Sequence, residues 1–374
     1  MNDRIKLIKP YISFDEVAGD IKEIFDSGQL TKGQHVDKFV AGLKDYTKAE
    51  HAFLTTSATT ALTMSLKAIG IKEGDRVAVS DFSWPATCNV VEDLGATPVF
   101  IDVDRHTYNM CPKDLESKLE DHQGNKVVGV IVVDALGNPS GIIELKAICT
   151  AHGIPLIQDS ACAIGSSVDG IKVGAIADLT CYSFHPRKLL TTGEGGAVLT
   201  NNADYAEWLT VKLAAGASGI KGRGLDFVDY GYNYRLSEIQ ALMGWIQLLK
   251  LDDITAERNA IADAYAAELE PLGFTRQKVD ANVHHNVQSL IFTVPEGMSR
   301  DALIDHLASQ NIESTLGTYC LSATTYYLEK YNDLQTNSLW LEGNTITLPC
   351  YEGVDCHAVT SCISDFVVLS SKAS

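Results

Sequence analysis

Lys188 stands in the stretch Cys181 to Leu199, CYSFHPRKLLTTGEGGAVL. The stretch reads as a strand, a loop carrying the lysine, a glycine-rich return and a second strand. A lysine held between two buried strands is poorly hydrated, and desolvation favours its neutral form. A neutral amine can attack a carbonyl and form a Schiff base. Ser183 lies just before the lysine, and Gly193, Gly195 and Gly196 lie just after it. Glycines there permit close backbone approach. A plain surface hairpin would have the same local sequence, so the case for chemistry rests on the lysine's companions.

Ser57, Ala58 and Thr59 follow the strand-like AFLTT and open the helical run SATTALTMSLKAI. A helix start presents unpaired N–H groups and the positive end of the helix dipole, which together bind an anion such as phosphate. The Ser57 and Thr59 hydroxyls add donors, while simple N-capping by Ser57 accounts for the same residues. Asp159 ends the apolar run IPLIQD, at the strand edge where ligands of α/β sheets bind. A carboxylate there can hold a protonated pyridinium nitrogen, or it can cap the SAC segment after it. Trp84 comes soon after the strand end at Ser80 and either lies flat on a ligand ring or packs in the core. Neither GxGxxG nor GxxxxGK[ST] occurs, so neither a dinucleotide fingerprint nor a P-loop is present.

The elements that must position these residues are read from apolar patterning. RVAVS, PVFIDV, VVGVIVVDAL and IPLIQDSA are near-continuous apolar strands. They alternate with helices over Ser57–Ile69, Pro85–Leu94 and IIELKAICTAHG. This alternation predicts an α/β domain with a parallel sheet covered on both faces. Two further helical stretches, Ser13–Ser27 and Gln34–Tyr46, precede it. After Leu236 a long helical run, LSEIQALMGWIQLLKLDDITAERNAIADAYAAEL, leads to Pro271, with a domain boundary near Leu249 and the helix as hinge. The remainder reads as the strand NVQSLIFTV, the helix RDALIDHLASQNI and a loop-rich tail.

Composition narrows the function classes. The 374 residues are 45% hydrophobic and 21% charged, enough for a large core and roughly two domains. A net charge of −18, spread along the chain, disfavours nucleic acid and anionic membranes as partners. No apolar run approaches the about 20 residues needed to span a bilayer, and the start MNDRIKLIKPYISFDE is not a secretory signal. Nine cysteines without a CxxC pair point to free thiols in a reducing cytoplasm. Cys350, Cys356 and Cys362 are evenly spaced but lack a histidine cluster at zinc spacing, so no metal is expected.

With these residues in place, the chain resembles the DegT/DnrJ/EryC1/StrS aminotransferases, the sugar aminotransferase branch of the fold-type I pyridoxal 5'-phosphate enzymes. The resemblance runs from SGQLTKG to LPCY. It is carried by TTSATTAL, DFSWPATCNVVEDLGATPVFIDVD, IQDSACAIGS, SFHPRKLLTTGEGG and GYNYRLSEIQA. It implies a large cofactor domain over residues 1–249, with a mostly parallel sheet between helices, and a smaller C-terminal α/β domain over 250–374. Lys188 is then the Schiff-base lysine and the proton carrier. Asp159 is the partner of the pyridine nitrogen, and Trp84 the ring platform. Ala58, Thr59 and Ser183 are the phosphate ligands. Asn233, in GYNYR, matches a residue that reaches the phosphate of the neighbouring subunit, which implies a homodimer with shared active sites.

Two departures stand out. Ala58 replaces a usual glycine but keeps the backbone donor. Cys162, also at the cofactor, replaces a usual glutamine that holds the ring hydroxyl, and is read as filling space. The implied reaction moves an amino group from L-glutamate to a keto- or aldehydo-sugar, for amino sugars of surface polysaccharide such as lipopolysaccharide. The acceptor is either a nucleotide-linked keto-hexose or 8-oxo-3-deoxy-octulosonate. Lys221, Arg223, Arg235 and Tyr319 are candidate substrate contacts. A sugar dehydratase on this fold has histidine in place of the lysine, so Lys188 argues against one. A non-catalytic regulator has no need of lysine, acid and aromatic together.

Overall fold

The structure, a computed structural model, describes residues 4–120 and 126–371. A seven-stranded sheet lies at the centre of its larger part. Its strands are β1 (His51–Thr55), β2 (Arg76–Ser80), β3 (Thr97–Ile101), β4 (Val127–Val133), β5 (Leu156–Asp159), β6 (Leu179–Ser183) and β7 (Gly196–Thr200). They lie in the order β1-β7-β6-β5-β4-β2-β3. Strands β6, β5, β4, β2 and β3 are parallel neighbours, and β7 runs antiparallel between β6 and β1.

Alternate side chains of these strands feed cores on the two faces of the sheet. Val77, Val79, Ile131, Ile157, Leu179 and Val198 pack with Leu62, Leu66, Cys88 and Val91 of the helices Ala58–Ala68 and Ala86–Asp93. Ala78, Val99, Val130, Val132 and Leu156 face the other way, against Leu115, Leu145 and Cys149 of the helices Pro112–Glu120 and Ile142–His152. A strand buried on both faces shows no polar alternation, which is why the sequence carried unbroken apolar runs. Each such fully buried aliphatic side chain contributes about 1.5–3 kcal/mol of transfer free energy.

A four-stranded antiparallel sheet forms the C-terminal part, from Thr275–Arg276, Leu290–Thr293, Thr345–Leu348 and Thr315–Leu316. Its core is shared with the helices Leu251–Leu269, Arg300–Ser309 and Cys356–Ser371. Among the described residues, no helix is long and apolar enough to cross a membrane.

Three expectations are corrected. The long helical run is two helices, Glu238–Leu248 and Leu251–Leu269, interrupted at Lys250, whose dihedrals of φ −114 and ψ 13 leave the helical range. The first helix begins at Ala18 rather than Ser13, because the residues before it close a tighter turn, the Val17 N–H donating to the Phe14 carbonyl at 3.0 Å. The tail is not loop-rich: it holds the helices Thr325–Tyr331, Thr336–Asn344 and Cys356–Ser371 and the strands Thr315–Leu316, Tyr319–Cys320 and Thr345–Leu348. The last of these helices is rich in Val, Ser and Cys, weak intrinsic helix formers. Packing makes it a helix, through the buried Val359 and Ile363.

Candidate active site

The C-terminal ends of β1, β2, β5 and β6 and the start of β7 share one edge of the sheet. The lysine loop hangs from this edge, between β6 and β7. Pro186 lies inside a turn in which the Lys188 N–H donates to the His185 carbonyl at 2.9 Å, and proline's fixed φ suits that position. Further on, the Thr191 N–H donates to Gln247 Oε1 at 3.1 Å, and Gln247 Nε2 donates to the Thr191 carbonyl at 2.6 Å. Gln247 is fully buried, so this pair of bonds ties the loop to the helix Glu238–Leu248. Lys188 itself is half-buried, and its Nζ donates to Cys162 Sγ at 3.0 Å. Cys162 therefore touches the lysine, which goes beyond the space-filling role expected of it.

Asp159 closes β5 and is buried. Thr87 Oγ1 donates to its Oδ2 at 2.9 Å, and the Ala161 N–H donates to Oδ1 at 3.2 Å. Burial pushes the Asp159 carboxyl up, and the two donors and the Lys188 charge pull it back. The Ala161 contact is the expected capping role, though residues 161–165 form a turn and not a helix. The other carboxylate oxygen faces Thr87, so capping does not exhaust the group. Trp84 stands just before the helix that carries Thr87. It is 60% exposed and is not packed in the core. Its ring meets Tyr319 edge-on at 5.7 Å, and Tyr319 is held there by pairing with Ser83.

Ser57, Ala58, Ser183 and Gly196 meet at the other side. Ser57 caps the helix Ala58–Ala68 in a reciprocal box with Thr60, its Oγ accepting the Thr60 N–H at 3.1 Å. The N–H groups of Ala58 and Thr59 stay outside the helix's own ladder. Gly196 pairs with Thr55 on one side and with Ser183 on the other. A Cβ on Gly196 would lie 2.5 Å from the Ser57 carbonyl carbon and 2.8 Å from the Ala58 nitrogen. The missing side chain thus lets β7 and Ser183 close on the helix start. Free N–H groups, a serine hydroxyl, a buried acid, an exposed aromatic ring and an amine over one sheet edge suit a phosphorylated pyridine carrying a carbonyl.

Other residues named from sequence lie elsewhere. Lys221 and Arg223 sit on an exposed hairpin formed by Ala217–Lys221 and Gly224–Phe227. Asn233 is exposed and Arg235 half-buried in the extended segment after it. Among the described residues, none of the four bonds to Lys188, Cys162 or Asp159.

Sequence reasoning missed Thr87, Gln247 and Asp134. Asp134 lies just past β4 and is buried beside Asp159, accepting from Gln158 Nε2 at 3.0 and 2.9 Å and from Ser160 Oγ at 2.6 Å. Burial pushes its carboxyl up to about 7 against those hydrogen bonds. A glutamine among the apolar residues of MGWIQLL was the signal for Gln247. Thr87 had none, since its partner is 72 residues away.

The sequence profile of the DegT/DnrJ/EryC1/StrS aminotransferase family matches residues 13–366. A DegT DnrJ EryC1 StrS aminotransferase from Brucella abortus is 28% identical, with a TM-score of 0.87 over 94% of this chain and 95% of that one. Spr1654 from Streptococcus pneumoniae, assigned as a sugar aminotransferase, is 26% identical in its PLP form, with a TM-score of 0.88 over 99% of each chain. Its PMP form superposes with a TM-score of 0.87 over 99% and 100% at the same 26% identity. Helicobacter pylori PseC, an aminotransferase involved in the biosynthesis of pseudoaminic acid, shares the fold at 22% identity, with a TM-score of 0.87 over 97% and 99%.

Proposed function

This chain belongs to the DegT/DnrJ/EryC1/StrS aminotransferase family and is a pyridoxal phosphate-dependent sugar aminotransferase, and from that premise we propose its donor, acceptor and site roles. The donor is L-glutamate. The acceptor is the carbonyl of a nucleotide-linked keto-hexose or of 8-oxo-3-deoxy-octulosonate, and the product is an amino sugar for surface polysaccharide. The enzyme works in the cytoplasm. The observation that carries this reading is the convergence of Lys188 and Asp159 on the sheet edge where the Ala58 and Thr59 N–H groups lie outside the helix's own ladder.

Ala58, Thr59 and Ser183 hold the cofactor phosphate, and Trp84 covers the ring. The bound cofactor supplies an electron sink for the carbon that loses a proton. Burial raises the Asp159 carboxyl, and a cationic ring nitrogen facing it would favour its charged form. Lys188 Nζ moves the proton: it takes one from the donor's α-carbon and returns one to the sugar carbon. Cys162 Sγ, 3.0 Å from Nζ, orients the amine between these tasks.

Two chains form each site. The hairpin and the residues just after it expose Ile220, Leu225, Phe227, Val228 and Tyr230, each more than half accessible in one chain. Contiguous exposed apolar groups of this kind support a protein contact. Asn233, just beyond them, belongs to the phosphate of the partner subunit in this reading. The same reading divides the chain near Leu249, at the interruption between the two helices.

The test is a half-reaction. The cofactor-loaded protein should lose its long-wavelength absorbance on adding L-glutamate and release about one equivalent of 2-oxoglutarate per site. The pyridoxamine form is then offered a panel of keto- and aldehydo-sugars. No 2-oxoglutarate, with another amino acid accepted, would overturn the donor. No return of absorbance with any sugar would overturn the acceptor class.

A further inference from the structure

One buried side chain brackets the catalytic lysine. The Leu189 N–H donates to Gln288 Oε1 at 2.8 Å, and Gln288 Nε2 donates to the Arg187 carbonyl at 2.6 Å. A single amide thus spans the peptide groups on both sides of Lys188. Gln288 is 4% exposed, so water does not compete for either bond. Its own backbone is fixed in turn. Its N–H donates to Asn286 Oδ1 at 2.9 Å, and its carbonyl accepts from Arg258 Nη2 at 2.8 Å. The Val287 carbonyl accepts from Arg258 Nε at 2.7 Å. Asn286 Nδ2 then reaches the carbonyls of Cys162 at 2.8 Å and Ile164 at 2.7 Å. Three consecutive residues, anchored by an arginine from the helix Leu251–Leu269, therefore hold the backbone behind both partners of the Lys188–Cys162 contact.

We infer that Gln288 is a positioning residue for Lys188, fixing where its amine stands relative to Cys162 and Asp159. The turn bond from the Lys188 N–H to the His185 carbonyl holds only the first of these two peptides, and the Gln247 bonds lie three residues after the lysine, so Gln288 alone ties both. Without Gln288 the two peptides flanking Lys188 lose the side-chain bonds that span that gap. A lysine on a four-carbon stem then samples several positions, and misplacement of a reacting group by about 1 Å costs up to about a hundredfold in rate. The signal in the sequence was a glutamine inside the apolar strand NVQSLIFTV. The inference rests on the reading of Lys188 as the reacting amine.

The test compares wild type with Gln288→Met, which removes both bonds at similar volume, and Gln288→Glu, which keeps the acceptor for Leu189. Two readouts are taken. In cofactor-free protein, the rate of reductive methylation of Lys188 by formaldehyde and a borane is followed by peptide mass mapping, with the other lysines as internal controls. In loaded protein, kcat and KM are separated. The methionine variant should change the Lys188 labelling rate by at least about threefold and lower kcat by about tenfold or more, with KM nearly unchanged. The glutamate variant should recover part of both. Equal labelling and equal kcat in wild type and the methionine variant would overturn the inference, as would equal losses in both variants. If the methionine variant does not fold, hydrogen exchange at Leu189 in wild type decides. Protection supports the bracket, and exchange at the rate of an open peptide overturns it. If wild type makes no 2-oxoglutarate, the functional reading fails while the labelling comparison still reports on Gln288.

Discussion

Asp159 stands under opposing influences, with burial the largest: burial raises its carboxyl, while Thr87, the Ala161 N–H and Lys188 lower it. Asp159→Asn keeps the shape but cannot stabilise a protonated ring nitrogen. Its kcat should fall by about two orders of magnitude, as on loss of one preorganised electrostatic partner. Cofactor affinity should change far less, because the phosphate groups are untouched. Unchanged rates in both half-reactions would leave Asp159 only its turn-capping role. Asp134 makes a separate, pH-dependent statement. Its folded carboxyl is raised from the usual 3.8 to about 7, so between those values the native state binds a proton that the unfolded chain has lost. Stability from this group is complete at low pH and is lost as pH rises through about 7. Asp134→Asn should remove that slope: the difference in thermal midpoint between variant and wild type should grow in the variant's favour as pH rises through this window. Gln158 can accommodate the amide by turning, since its buried Oε1 has no hydrogen-bond partner among the described residues. A pH-independent difference would contradict the assignment.

At the scale of elements, β7 and the helix Ala58–Ala68 approach closely, and Gly196 makes it possible. Gly196→Ala puts a methyl group against the Ser57 backbone, which cannot give way as a flexible side chain would. We expect a loss of about 1–3 kcal/mol of stability and weaker cofactor binding, measured by denaturant unfolding and by titration. Wild-type values in both would mean the strand and helix have room to spare. The sheet was legible because buried parallel strands are written as apolar runs, and the helix start because Ser57 is a capping residue. The lysine loop was legible from its glycines. The cross-chain supports were not, because Thr87, Gln247 and Gln288 act on residues far away in sequence. The break at Lys250 was hidden because LLKLDD continues an apolar helical pattern, so only the dihedrals reveal it. The C-terminal helix was hidden for the opposite reason: its Val, Ser and Cys residues are weak helix formers, and packing overrides that weakness.

For the whole molecule, the exposed hairpin and Asn233 carry the assembly prediction. Lys188→Ala and Asn233→Asp are each expected to be inactive alone, the second through repulsion of the phosphate. In a hybrid dimer one site carries both lesions and the other neither. Unfolding and reassembling equal amounts should give about half hybrids, and so restore about a quarter of wild-type activity. No recovery, with hybrids shown by mass, would place both residues at the same chain's site and remove the shared-site proposal.

The central claim is that the amine at residue 188 is the one that engages the cofactor. Its most direct test is borohydride reduction of the pyridoxal phosphate-loaded protein followed by peptide mass mapping. One phosphopyridoxyl group per chain, on the peptide containing Lys188 and absent in Lys188→Ala, is the predicted result. A stable adduct on any other lysine, with Lys188 unmodified, would contradict it.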